Sequence, residues 1–212
     1  MKRQIIKYLD KELSEEFSID ELHKRYTIIE QLCNSSALMY GYKIEFSFGR
    51  GLSKTGLGAN AGLLKHSKIF ISPNWIIKLI ADEYNIAETA LLQTVGHELT
   101  HKDGDFPILK YGVNHIKFIA YVNEIHADFG SAQKMLNSNR KQLLQSMLYK
   151  QSQFSNIDKG DYAHPSWEKR IYYVKHFNFT KTLIKQIMYD MNYFNDVIID
   201  DVGSYFDEII LH

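Results

Sequence analysis

Five residues, His97-Glu98-Leu99-Thr100-His101, have types and spacing that can hold a metal ion and act on water. They close the run from Ile86 to His101, in which Ala87, Ala90, Leu91, Val95 and Leu99 recur near a helical period, so the run predicts a helix. Residues four apart share a helix face, so both imidazoles can meet one ion. Glu98, next to the first histidine, can reach a water at that ion without being a ligand itself. Metal-assisted hydrolysis uses this H-E-x-x-H spacing, most often with zinc.

A hydrolytic zinc centre keeps one position open and takes a third protein ligand. A second helical pattern runs from His115 to Leu136, with Glu124 and Asp128 four apart on one face. An apolar stripe through Ile116, Ile119, Ala120, Ala127 and Met135 lies close to that face. A carboxylate beside a buried stripe needs a partner, because burying an unpaired charge is costly. Zinc would serve Glu124. A ring N–H of a zinc-bound histidine would serve Asp128 and fix that ring's tautomer and orientation.

H-E-x-x-H followed by Glu124-Ile-His-Ala-Asp128 resembles the gluzincin metallopeptidases, in particular the family of the CaaX prenyl protease and the HtpX heat-shock peptidase. Two further elements carry the resemblance: His164-Pro-Ser-Trp-Glu-Lys-Arg-Ile171, and the pair Asn60-Ala61 ahead of a strand. It spans roughly residues 58 to 175 in the family's order. Thr100 stands where the family often has glycine, and the family's transmembrane helices are absent. The resemblance implies a zincin-like α+β fold, mostly helical, with a small sheet and the H-E-x-x-H on an active-site helix. It implies His164 as the second donor to the oxyanion and Asn60 as a polar contact to substrate. It also nominates the strand with Ile69 and Ile71 as the edge along which a peptide lies, held by main-chain hydrogen bonds.

The chemistry expected is that of a zinc endopeptidase acting on peptide or protein substrates. His97, His101 and Glu124 would hold Zn²⁺, which lowers the pKa of water from about 15.7 towards 7. Glu98 would take the proton as general base and return it to the leaving amine. Zinc and a second donor would stabilise the oxyanion. Tyr162 is a candidate to assist His164, on a spacing that carries no independent signal. Two alternatives stand beside this reading. One is a regulatory peptidase resembling the ImmA/IrrE group, which cuts repressors. The other is a zinc-stabilised interaction protein without turnover, against which Glu98 argues, since a structural site needs no base.

The elements that must position these residues fit one domain of 212 residues: an N-terminal helical layer over 1–39, a catalytic core over 40–176 and a helical tail over 177–212. Lys plus Arg equals Asp plus Glu at 25 each, so nothing favours nucleic acid or an anionic membrane surface as partner. No apolar run approaches the roughly 18 residues of a membrane span, and the opening Met1 to Asp10 has too short an apolar core for a signal peptide. A cytoplasmic protein is the expectation. Cys33, the single cysteine, sits in an apolar helical stretch and reads as a small buried hydrophobe.

Ser18-Ile-Asp-Glu21 has the pattern of a helix N-cap box ahead of Leu22, Tyr26, Ile29, Cys33 and Ala37. Residues 42–48 and 68–72 read as strands, the second stopped by Pro73. The glycines between them match no phosphate-binding pattern and predict a mobile loop. Asp103 and Asp105 flank Gly104 and read as a turn. His126, His115, His66 and His23 read as structural or surface residues. Further helices are expected over 140–152, from Pro165 through Val174, and over 181–195.

Overall fold

A computed structural model describes residues 2–39, 41, 45–48, 59–61, 68–71, 73–81, 84–134, 140–153 and 160–210. Two helices, α1 (Lys2–Leu13) and α2 (Ile19–Met39), lead into three short strands, β1 (Glu45–Phe48), β2 (Ala59–Ala61) and β3 (Lys68–Ile71). Then come α3 (Pro73–Ala81), α4 (Tyr84–Gly104), α5 (Ile116–Gln133), α6 (Arg140–Gln153), α7 (Trp167–His176), α8 (Lys181–Asp190) and α9 (Asp196–Ile210).

The expected zincin-like α+β core is corrected to a helical class. The strands have only three or four residues each, against nine α-helices among the described residues. Among the described residues, the buried apolar core lies on helices and on the loop residue Phe106. One part of it, through Leu9, Leu22, Cys33, Ile76, Val95 and Leu99, joins α1 to α4. Another, through Phe118, Val122, Tyr173, Ile187 and Val202, joins α5 to α7, α8 and α9. Each fully buried aliphatic side chain contributes about 1.5–3 kcal/mol, so these helix-on-helix contacts are a major stabilising term.

β3 is also not the expected edge strand. It lies between β1, to which it is parallel, and β2, to which it is antiparallel, with Asn60 opposite Phe70. Its main chain is engaged on both sides, so an extended peptide cannot add to it. The side chains of Asn60, Ile69 and Ile71 lie outside the described residues, as do His66, Met135, Asn137 to Asn139 and the glycine-rich stretch over 49–58 and Gly62.

Two helix starts follow local chemistry. The Ser18 hydroxyl accepts the Glu21 N–H at 3.3 Å, as the cap box requires. At α7 the cap is Ser166, whose hydroxyl accepts the Lys169 N–H, so Pro165 precedes the helix and does not open it. The helix expected over 181–195 stops at Asp190, Asn192 takes a φ of 50°, and a second helix, α9, begins at Asp196, beyond the expected range.

α4 is the central helix. Every residue from Gln93 to Thr100 is buried, against α2 on one side and α5 and α6 on others. Small residues set the spacing of α4 and α5. A Cβ on Gly96 would meet the Ser131 backbone at 3.1 Å, and one on Gly130 would meet Thr100 Cγ2 at 2.3 Å. Gln93 Nε2 donates to Ser131 Oγ at 3.0 Å across the same contact, and Lys134 pairs with Asp103. Among the described residues no helix is long and apolar enough to cross a membrane.

Candidate metal centre

The close packing of α4 on α5 brings His97, His101 and Glu124 together. The two Nε2 atoms are 3.1 Å apart. Glu124 sets Oε2 3.3 Å from His97 Nε2 and Oε1 3.3 Å from His101 Nε2. Among the described residues this is the one group of three or more His, Cys, Asp or Glu side chains with donor atoms close enough for an ion. Tetrahedral ligands with bonds of about 2.0–2.1 Å stand about 3.3 Å from one another, so these separations suit zinc.

The outward nitrogen of each ring is also engaged. His97 Nδ1 lies 3.1 Å from Asp128 Oδ1, and His101 Nδ1 lies 2.9 and 3.1 Å from the oxygens of Asp105. A carboxylate on Nδ1 holds the proton there and leaves the Nε2 lone pair facing inward. Two such lone pairs and a carboxylate aimed at one point repel one another unless a cation or protons lie between them. The residues present therefore fit a zinc ion. The charges respond accordingly. Burial pushes the Glu124 carboxyl up, but hydrogen bonds from His101 and His97 outweigh it and hold the group well below its usual range. Burial pushes His101 down, but hydrogen bonds to Asp105 and Glu124 outweigh it and raise the imidazole well above its usual value.

Asp128 is fully buried, as its place beside the stripe suggested, and its larger partner is Arg170 on α7. Arg170 Nε donates to Oδ2 at 2.8 Å and Nη2 to Oδ1 at 2.6 Å, a two-pronged pair. Nη1 stands 3.8 Å from Glu124 Oε2. Burial opposes ionisation of Asp128, yet the Arg170 charge and hydrogen bonds keep its carboxyl below the usual range.

His164 reaches the rim of this site. Its Nε2 is 3.6 Å from Glu124 Oε1, and the side chain is about half exposed. Asp161, not Tyr162, is its partner: both carboxylate oxygens lie 2.9 Å from His164 Nδ1. Asp161 Oδ1 also accepts the N–H groups of Ala163 and His164 at 2.8 Å, so the turn is held around one carboxylate. Gly160 makes the turn possible. Its φ is +69°, and a Cβ there would lie 2.7 Å from Ser166 N. Tyr162 is exposed.

Glu98 is buried beside His97. On the same stripe of α4, one turn earlier, Thr94 Oγ1 accepts a hydrogen bond of 2.9 Å from Lys150 Nζ. Lys150 is buried on α6 with Trp167 beside it, its nitrogen 5.3 Å from the ring centroid. Burial and the Arg170 charge push the ammonium down to about 7, against the attraction of Asp128, Glu98 and Glu124. His126 is buried against Phe179 and Phe206, and burial, with the charges of His101, Lys134 and His97, pushes its imidazole down to about 4.

Sequence reasoning missed three groups: Asp105, Arg170 and Asp161. Asp105 is four residues from His101, a spacing that carried a signal, but its position after Gly104 read as a turn. Asp161 stands three residues before His164. Arg170 falls inside the His164–Ile171 motif, where nothing local names its partner.

Comparison of the chain with protein-family models, with curated proteins and with solved structures found no match.

Proposed function

We propose that this chain is a zinc-dependent endopeptidase. The observation that carries the reading is the convergence of His97 Nε2, His101 Nε2 and the Glu124 carboxylate, with a carboxylate on the far nitrogen of each ring. The motif resemblance to the CaaX protease and HtpX group supports the same chemistry. His97, His101 and Glu124 would hold the ion. Bound zinc would supply a Lewis acid for a peptide carbonyl and lower the pKa of water towards 7.

The remaining work falls to the chain's own groups. Glu98 accepts a proton from the attacking water and delivers it to the leaving amine. Asp128 and Asp105 hold the two imidazoles in the tautomer that faces inward. His164, with Nδ1–H given to Asp161, offers Nε2 at the rim; with a proton there it donates to the oxyanion.

The test is the metal content of purified protein, together with cleavage of a diverse peptide pool before and after chelation. About one zinc per chain and cleavage that stops with chelator and returns with zinc are expected. Cleavage indifferent to the chelator would remove zinc from the chemistry.

A further inference from the structure

His97 and His101 are oriented by different means. Asp128, behind His97, lies within α5 and is clamped by Arg170. Asp105, behind His101, lies one residue beyond the end of α4, where no helix fixes its backbone. It is also partly exposed. Something outside α4 must hold it if His101 is to keep its aim.

That support comes from α9, in the C-terminal part of the chain. The Tyr205 hydroxyl donates to the Asp105 carbonyl at 2.9 Å. Its ring meets the buried Phe106 ring edge-on, with centroids 5.3 Å apart. From the opposite side Asn123, the neighbour of Glu124, accepts the Phe106 N–H and donates to the Phe106 carbonyl, both at 3.0 Å. Further along the loop, Asp201 on α9 accepts from Tyr111 at 2.6 Å and pairs with Lys110. The segment after α4 is thus pinned between α5 and α9.

We propose that Tyr205 is a positioning residue of the metal centre: its hydroxyl fixes the backbone of Asp105, whose carboxylate sets the Nδ1 hydrogen bond and hence the aim of His101 Nε2. The inference rests on the zinc reading of the triad. It gives the C-terminal helix a role in metal binding at a point where the backbone has left α4.

The test uses the full chain with Y205F, which keeps the ring and its packing and removes only the hydroxyl. Zinc affinity is read by chelator competition. Y205F is expected to bind about tenfold more weakly, the low end of the 10- to 100-fold loss for partners of metal-bound histidines, and D105N to lose more. The double variant should bind no more weakly than D105N alone, because one effect runs through the other. Equal affinity for Y205F and wild type, or losses that multiply in the double variant, would overturn the proposal. A metal-free reading separates this from the zinc assignment. In ¹⁵N-histidine-labelled apoprotein, the His101 Nδ1 proton should be observed in wild type and exchange faster in Y205F, while that of His97 stays unchanged. If wild type binds no zinc, the metal reading falls and this second measurement decides the proposal: selective loss at His101 supports it, and an unchanged His101 proton overturns it.

Discussion

Thr100 sits on the Cα of Gly130, so closely that a Cβ there would come within 2.3 Å of its Cγ2 and 2.6 Å of its Oγ1. Thr100 cannot easily turn away, since its hydroxyl donates to the Gly96 carbonyl at 2.8 Å and a β-branched side chain is stiff on a helix. Thr100 on α4 is thereby matched by a glycine on α5, and the α4–α5 distance that brings Glu124 to the histidines depends on the pair. Gly130→Ala should cost about 1–3 kcal/mol by overpacking and weaken zinc binding. Adding Thr100→Ala should restore much of both. Thermal melts and chelator competition on the three variants check this, and a Gly130→Ala protein as stable as wild type would show that the contact yields.

Arg170 and Asp128 are a buried pair in which each serves the other's charge. Arg170→Met leaves a buried carboxylate without its main partner and should destabilise by about 3–5 kcal/mol. Arg170→Lys should recover only part, because an ammonium cannot reproduce the two-pronged contact. Arg170→Met with Asp128→Asn should be more stable than Arg170→Met alone, while still binding zinc about 10- to 100-fold more weakly through the altered hold on His97. Denaturant unfolding of the set measures the first effects and metal competition the last. A double variant no more stable than Arg170→Met would mean that the loss is one of packing and not of stranded charge.

The parts of the site set by helical spacing were legible in the sequence. His97 and His101 are four apart on α4, Glu124 and Asp128 four apart on α5, and a regular helix fixes what such pairs can face. Arg170 and Asp105 were not, because their roles depend on where α7 crosses α5 and how α9 meets the loop after α4. The fold class failed for a related reason. The alternation over 42–48 and the short apolar run over 68–72 are local signals, and β1 and β3 do form there, but class depends on which elements supply the packed layers. Strand order is likewise set by tertiary pairing, so the central place of β3 left no trace in its own residues.

Lys150 makes stability depend on pH. A lysine titrates near 10.4 in an unfolded chain, and here burial and the Arg170 charge bring it to about 7. Between those values the unfolded chain holds the extra proton, so stability rises with pH across that window. Below about 7 both states are protonated and the buried ammonium exacts its full penalty. Replacing Lys150 by Met should remove a slope of up to about 1.4 kcal/mol per pH unit and stabilise the fold most at pH 7 and below. Thr94 keeps its own donation to the Ala90 carbonyl, so the substitution strands no hydroxyl proton. Urea unfolding of chelator-treated protein from pH 6 to 10 provides the comparison. Parallel stability curves for the two proteins would place the Lys150 titration outside this range.

Glu98 separates an enzyme from a zinc-stabilised scaffold. It adjoins a ligand on the central helix and is buried. Glu98→Gln keeps shape and most hydrogen bonding and removes only the base. If Glu98 takes the proton of the attacking water, the variant should hold about one zinc per chain, melt close to wild type and lose nearly all cleavage of a peptide pool. His164→Ala provides the contrast. It removes a donor at the rim and no ligand, so kcat should fall by roughly 10²- to 10³-fold with KM little changed and zinc retained. Loss of zinc from His164→Ala would make that residue a ligand instead. Cleavage that survives intact in Glu98→Gln would rule out the general-base role. A wild type that binds zinc, cleaves nothing in the pool and is matched in cellular function by Glu98→Gln would favour the scaffold, because a group with no proton to move can be exchanged for its amide without consequence.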